Sequence, residues 1–435
     1  MHFGVKVLYV ILLISATLTL MVATEATSPM PFNSSLYRND QSLTGTKPGC
    51  KNRCGNLTIP YPFGIGIECS LYDRFSVTCN TSYKPPRTFL NRTLIAYGSY
   101  IYDISNASVP KQNLEYEILS ISSTEVRIRN DLAVSCNYSL ENIRSRPKNP
   151  FSKIVRHNLK NQSFSLSMTA NILTVIGNGY YGMYTVPEVS SGGCLSLIPS
   201  EEQHVYTPDS CISGQYCCQT PTPTPYNSAS RATLFWVQLF LADDEFPQLL
   251  NDTAQFAPCS YSFLGEIDKF QFRGLDDLKK DTTLPERVKA TVPLVLEWTI
   301  ASTNCSQARN DTSRYACQAN SKCTDIQQGP GYRCSCLPGY EGNPYLTLGC
   351  TDINECLRPD LYPCPRPGTC TNTIGRYICT CPRGSSFNGH ECIKDPYPIT
   401  KIALGNHSPL QNSKFLFFEE SLGCFMVFLV FSFVF

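Results

Sequence analysis

Residues 356–392, CLRPDLYPCPRPGTCTNTIGRYICTCPRGSSFNGHEC, carry six cysteines in fewer than 40 positions, with one residue between the fourth and fifth. So short a segment cannot bury enough apolar surface to fold unaided, and cross-links must make up the deficit. Spacing alone leaves fifteen ways of pairing six cysteines. Residues 305–350 repeat the arrangement with Cys305, Cys317, Cys323, Cys334, Cys336 and Cys350. Upstream, ten more cysteines lie between Cys50 and Cys259. Each group is even and can close on itself, while the odd one, Cys424, stands in an apolar tail. Zinc is the competing use of clustered cysteines, but Cys-x-Cys pairs in a secreted chain point to disulfides.

The N terminus supplies that compartment. Lys6 precedes an apolar run from Val7 to Val22, and the small residues Ala23, Thr24 and Ala26 follow. These are the parts of a secretory signal peptide, here residues 1–26. The 23 cysteines suit the oxidising compartment to which it leads. Asn-x-Ser/Thr sequons at Asn33, Asn56, Asn80, Asn91, Asn106, Asn137, Asn161, Asn251, Asn310 and Asn406 imply a glycosylated surface. A further sequon at Asn304 is discounted, because its middle residue is Cys305.

Residues 47–300 read as mostly β. Runs rich in Val, Ile, Thr and aromatics recur at Phe75–Cys79, Tyr116–Ser122, Glu125–Arg129, Ile172–Ile176 and Leu234–Leu241, punctuated by turn formers. The charged segment Glu266–Arg287 suits a short helix. The expected fold is therefore mainly β, disulfide-rich and multi-domain: a Cys-rich β N-terminal domain followed by two small cysteine modules. Net charge is +1, so no global field draws nucleic acid. Along the chain the charge is segregated: residues 47–160 carry a net +8 and residues 161–300 a net −8.

The two six-cysteine segments resemble EGF-like modules, residues 305–350 and 352–392. That resemblance implies first-to-third, second-to-fourth and fifth-to-sixth pairing: Cys305–Cys323, Cys317–Cys334 and Cys336–Cys350, then Cys356–Cys370, Cys364–Cys379 and Cys381–Cys392. The second module opens with Asp352-Ile353-Asn354-Glu355 and continues with Asn372, two residues after Cys370, and Tyr377. Both halves resemble calcium-binding EGF modules. Ca2+ is a hard cation that takes six to eight oxygens. The resemblance implies side-chain ligands Asp352, Glu355 and Asn372, with backbone carbonyls from Ile353, Thr373 and Arg376.

Cys54-Gly-Asn-Leu-Thr-Ile-Pro-Tyr-Pro-Phe-Gly64, with Cys50, Cys69 and Cys79 around it, is similar to the galacturonan-binding domain of plant wall-associated kinases. Gly193-Cys-Leu-Ser-Leu197, Cys217-Cys-Gln-Thr220 and Val292-Pro-Leu-Val-Leu-Glu-Trp298 extend the likeness, which covers about residues 47–393. It departs at Asn178 and Ile198, where the family carries cysteines. The resemblance is to the receptor ectodomain (WAK and WAK-like), and the kinase itself is absent from the sequence. It implies an extracellular, non-enzymatic protein that binds de-esterified pectin, an anionic cell-wall polysaccharide. A polymer with one carboxylate per sugar calls for spaced Arg and Lys, since guanidinium grips carboxylate in bidentate fashion. The candidates are Lys51, Arg53, Arg74, Lys84, Arg87 and Arg92, interleaved with Tyr61, Phe63, Tyr72 and Tyr83; Arg144, Arg146, Lys148, Lys153 and Arg156 form a second cluster.

Enzyme readings find little support. No Gly-rich loop, strand lysine or His-Arg-Asp loop is present, nor a Gly-x-Ser-x-Gly elbow. Asp243/Asp244 and Asp276/Asp277 are adjacent in sequence, whereas a glycosidase holds two carboxylates apart across a cleft. A pectin-degrading enzyme is thus the remote alternative. A structural matrix protein or co-receptor, binding a receptor or wall protein through its EGF modules, is the nearer one. Beyond a linker at 393–414, residues 415–435 are hydrophobic, and the uninterrupted run from Leu422 to Phe435 is shorter than the roughly 20 residues of a spanning helix. Two readings stay open: a GPI signal, or a residual transmembrane tail of a truncated receptor. Membrane attachment or secretion to the apoplast follows accordingly.

Overall fold

The computed structural model describes residue 43 and residues 45–394, apart from 92–98, 104–111, 137–152, 160–162, 178, 198–210, 212–215, 223–229, 242–258, 280–282, 312, 328 and 389–390. The signal peptide, the C-terminal tail, Cys424, Asn178, Ile198, Arg92, Arg144, Arg146 and Lys148 lie outside the described residues. So do the sequons at Asn33, Asn106, Asn137, Asn161, Asn251 and Asn406.

Three antiparallel-rich sheets build the N-terminal region. The largest has seven strands, in the order Phe164–Leu166, Leu294–Trp298, Glu125–Ile128, Glu117–Ile121, Arg87–Leu90, Ser76–Asn80 and Gly64–Ile65. Its pairs are antiparallel except the last, where Gly64–Ile65 runs parallel to Ser76–Val77. A six-stranded sheet is centred on Leu234–Leu241, between Tyr180–Val186 and Lys153–Asn158. A four-stranded sheet sets Cys259–Glu266 and Asn171–Ile176 between Ala133–Cys136 and Cys217–Pro221. The β-branched and aromatic runs marked in the sequence fall on these strands. The charged segment ends in a helix, Leu284–Thr291, which continues past Arg287.

The core gathers around Trp298, fully buried, with the rings of Phe63 and Phe75 edge-on at 5.5 and 5.7 Å. Phe63 belongs to the Tyr-Pro-Phe-Gly string, which is core: Phe63 is 0% exposed and Tyr61 9%. Gly64 is required there, because a Cβ would come within 2.1 Å of the Cys69 carbonyl oxygen. Cys50–Cys69 and Cys54–Cys79 cross-link this corner, and Cys136–Cys259, Cys194–Cys218 and Cys211–Cys217 tie the other sheets. Charge segregated in sequence is partly rejoined in space. Arg127 donates to both oxygens of Glu266 at 2.6–3.1 Å, across 139 residues.

The described residues form two compact units: one runs to Pro363 and includes Cys370–Ile378, the other comprises Cys364–Thr369 and the residues from Cys379. Within the first, the module at 305–350 is built into the N-terminal core. Tyr332 (0% exposed), Tyr345 (3%) and the cysteines Cys305, Cys317 and Cys334 belong to the same cluster as Trp298 and Phe63. Polar groups seal the junction. Arg333 Nε donates to the Trp298 carbonyl at 2.7 Å, Asn343 Nδ2 to the Tyr61 carbonyl at 2.6 Å, and the Ile300 amide to the Tyr332 carbonyl at 3.0 Å. Helix Cys305–Asn310 opens with a capping box in which the Asn304 side chain accepts from the Gln307 amide. The module's disulfides are Cys305–Cys323, Cys317–Cys334 and Cys336–Cys350. Cys356–Cys370 also lies in the first unit. The second unit holds Cys364–Cys379 and Cys381–Cys392 and the short pair of strands Ser385–Phe387 and Cys392–Lys394.

Candidate functional site

Three places carry the chemistry. The first is a basic strip. Strands Arg53–Cys54 and Leu57–Thr58 form a hairpin whose Gly55, at φ +58°, lies so close to the Pro86 carbonyl that a Cβ would sit 2.2 Å from its oxygen. The hairpin thus rests on the turn carrying Tyr83, Lys84 and Arg87, and the Cys54–Cys79 disulfide holds the two together. Lys51, Arg53, Lys84 and Arg87 are all exposed. The Arg87 guanidinium stacks 4.4 Å over the exposed Tyr83 ring and also reaches Glu117 at 3.3 Å. A flat cation on an aromatic face offers an anionic sugar both a carboxylate clamp and an apolar platform.

Of the remaining candidates, Tyr61 and Phe63 are core residues and cannot face a ligand. Arg156, half-buried, stacks on Tyr100 at 5.6 Å and hydrogen-bonds its hydroxyl. Arg74 stands elsewhere, over the Tyr72 ring at 4.8 Å, and lines a cleft with Arg231, a residue that no motif of the sequence singles out. Sequons Asn56 and Asn310 are exposed; Asn80 and Asn91 are half-buried, and Asn80 Oδ1 accepts from the Ser82 amide and hydroxyl. Two buried ionisable groups have structural employment: His157 is buried between Tyr116 and Phe235, and burial lowers its pKa to about 3. Asp277 is paired to Arg287 at 2.5 Å.

The second place is the loop around Asp352. Strand Cys350–Asp352 pairs with Tyr340–Gly342, which sets Asp352 opposite Tyr340. Asp352 accepts from the Gly375 amide at 2.5 Å through one oxygen and from Asn372 Nδ2 at 2.9 Å through the other. Glu355, 3% exposed, has its pKa raised by burial and by the neighbouring Asp352 charge. Its Oε2 and the Asn372 Oδ1 are buried without a hydrogen-bond partner among the described residues. Buried oxygens that only accept, left unsatisfied beside a second carboxylate, are costly unless a cation joins them. Thr373 Oγ1 donates to the Arg376 carbonyl at 2.7 Å, so two expected carbonyl donors occupy one tight turn. The donor set, two carboxylates, an amide and main-chain oxygens, fits Ca2+. Gly375 lies against Gly339, where a Cβ would meet the Gly375 carbonyl oxygen at 2.0 Å, so the first module packs directly on this loop.

Comparisons with known proteins agree with this layout. A family model described as wall-associated receptor kinase galacturonan-binding matches residues 50–131, and the calcium-binding EGF domain model matches residues 352–392. Wall-associated receptor kinase 5 of Arabidopsis thaliana is 30% identical over 353 residues, 80% of this chain and 40% of that protein. Wall-associated receptor kinase 2 of the same plant is 32% identical over 340 residues, 77% of this chain and 38% of that one. The chain thus spans about 40% of the length of these relatives. Eleven disulfides among the described residues place it in an oxidising, extracellular setting. With a galacturonan-binding match followed by a calcium-binding EGF match, the chain has the extracellular layout of the wall-associated receptor kinases to which it is homologous.

Proposed function

We propose that the protein is a cell-surface or apoplastic binding protein that takes de-esterified homogalacturonan on its basic strip and Ca2+ at the Asp352 loop. The observation that carries the first half is the grouping of Arg53, Lys84, Arg87 and Tyr83 on one cross-linked corner, inside the segment matched by the galacturonan-binding model. Lys51 extends the strip by two residues. Its side chains act by position: each guanidinium presents two parallel donors to a uronate carboxylate, and the disulfide spares the cost of ordering them.

The test is titration of the secreted chain with oligogalacturonides and with their methyl esters, across salt and in EDTA. Binding of the de-esterified form alone, weakening as salt rises, is expected. Arg53→Gln with Arg87→Gln lowers that affinity about tenfold or more. Equal binding of the ester would sink the polysaccharide reading.

For calcium, Asp352, Glu355 and Asn372 supply side-chain oxygens, and Ile353, Thr373 and Arg376 supply carbonyls. The bound ion would neutralise two carboxylates and cross-link the start of the module to its hairpin. A second reading, a receptor or wall-protein partner for the EGF region, draws on its exposed apolar side chains Leu357, Leu361 and Ile374, 65–85% exposed. The hydrophobic tail is read as membrane attachment, and phospholipase C release from cells separates a GPI anchor from a residual transmembrane segment.

A further inference from the structure

The third place is the cleft that Arg74 shares with Arg231. It has a volume of about 390 Å³ and lies where the N-terminal sheets meet the first EGF-like module, with Ser163, Glu188, Thr299 and Pro330 also in its wall. That size is at the low end of the range for small-molecule sites, and junctions between modules are where such sites collect.

Arg231 lies three residues before the start of the strand Leu234–Leu241 and is held in one pose by neutral groups. Nη1 donates to Thr299 Oγ1 at 3.0 Å, and Nη2 donates to the Ser163 carbonyl at 2.9 Å and to Ser165 Oγ at 3.1 Å. None of these acceptors is a carboxylate. Burial pulls the Arg231 pKa down to about 10, the mark of a desolvated cation, and the nearby Glu297 charge opposes that fall only in part. Arg74 contributes a second guanidinium, stacked over the Tyr72 ring at 4.8 Å. Three buried polar atoms of these wall residues, Arg74 Nε, Arg231 Nε and Ser163 Oγ, have no hydrogen-bond partner among the described residues. Glu188 is the one carboxylate among the lining residues, exposed on the turn between Tyr180–Val186 and Ser190–Ser196, and it forms no ion pair with either arginine. Two guanidiniums against one carboxylate leave an excess of one positive charge, which suits a monoanion better than a phosphate dianion. The hydroxyls of Ser163, Ser230, Thr233 and Ser302 suit a polyhydroxylated ligand.

We infer that this cleft is a separate site for a single carboxylate, filled by one uronic acid, either free or at the end of a chain, with Arg74 and Arg231 as its cationic walls. The choice of a uronic acid rests on the polysaccharide reading above; the anion chemistry does not. Bound there, a carboxylate would neutralise the Arg231 charge and give the orphaned donors a partner, and it would bridge the N-terminal sheets to Pro330 of the first module.

The experiment titrates the full secreted chain with D-galacturonate, with its methyl ester and with galactose, followed by calorimetry and ligand-observed NMR. Saturable binding of galacturonate alone is expected. Arg74→Gln weakens it about tenfold, and Ser163→Ala weakens it less. Arg87→Gln on the basic strip leaves it unchanged while lowering affinity for the polymer. Arg231→Gln also removes three hydrogen bonds, so Arg74→Gln, which breaks none, carries the weight. Galacturonate that fails to bind, or binds equally to Arg74→Gln, overturns the cleft site and leaves the polymer reading standing if oligomers still bind. Galacturonate that binds while oligomers do not overturns the polymer reading and keeps the cleft.

Discussion

Two residues before its fourth cysteine, each EGF-like module carries a tyrosine: Tyr332 in the first, fully buried, and Tyr377 in the second, half-buried against Tyr362. Tyr332 and Tyr345 of the first module complete an aromatic core that belongs mostly to the N-terminal sheets. The second module's described residues contribute nothing to that core. Instead it keeps a buried glutamate and an amide oxygen without partners. The disulfide frame is common to both, so it specifies neither use. A few side chains around the cysteines do: aromatics make one module a structural wedge, and unsatisfied acceptor oxygens set the other apart.

The sharpest way to break this comparison is to truncate both tyrosines. Tyr332→Ala should cost about 3–5 kcal/mol, and because the core is shared, the N-terminal region and the first module should lose stability in one calorimetric transition. Tyr377→Ala should cost about 1 kcal/mol or less. Separate melting of the first module after Tyr332→Ala would show that its core is its own. Next in size is metal dependence. Asn372→Ala should weaken Ca2+ binding about tenfold or more, and EDTA should increase hydrogen exchange in the Asp352–Arg376 loop while the amides around Trp298 stay protected. Protection that changes equally in both would contradict the division of labour.

The smallest effect concerns the seam. Glu125 pairs across the strands with Glu297, which meets Arg333 of the first module at 3.5 Å. Burial and the neighbouring Glu297 and Glu266 charges raise the Glu125 pKa, although Arg127 opposes them. A carboxyl whose pKa is higher in the fold adds stability below its unfolded pKa and loses that contribution as pH rises through the folded value. Urea midpoints measured from about pH 3 to about pH 7 should therefore fall less in Glu125→Gln than in the parent. An unchanged slope would remove Glu125 from the account.

Much of this was legible beforehand. Strand runs such as Leu234–Leu241 announce themselves by composition, and residues 352–392 as a calcium-binding EGF segment by their resemblance. The wedge was not legible: Tyr345 and Asn343 sit in a Gly-Tyr-Glu-Gly-Asn-Pro-Tyr string that carries a family likeness, yet nothing local says they touch Trp298 and Tyr61. Arg74 and Arg231 are 157 positions apart in sequence, and only the crossing of sheets makes them neighbours. Charge counted along the chain put Arg74 in a basic face and Arg231 in an acidic half, and the cleft they share belongs to neither.

The burial of Tyr332 and Tyr345 also limits what evolution can do with this chain. EGF-like modules are commonly treated as beads to be duplicated, deleted or exchanged. A bead whose tyrosines complete another domain's interior has lost that freedom: excising it would open Trp298 and Phe63 to water, and transplanting it would carry two unburied tyrosines into a foreign neighbour. Lineages descended from such a chain should vary the number and kind of modules after Asp352, while the stretch from the first cysteine to Cys350 travels as one inheritable piece.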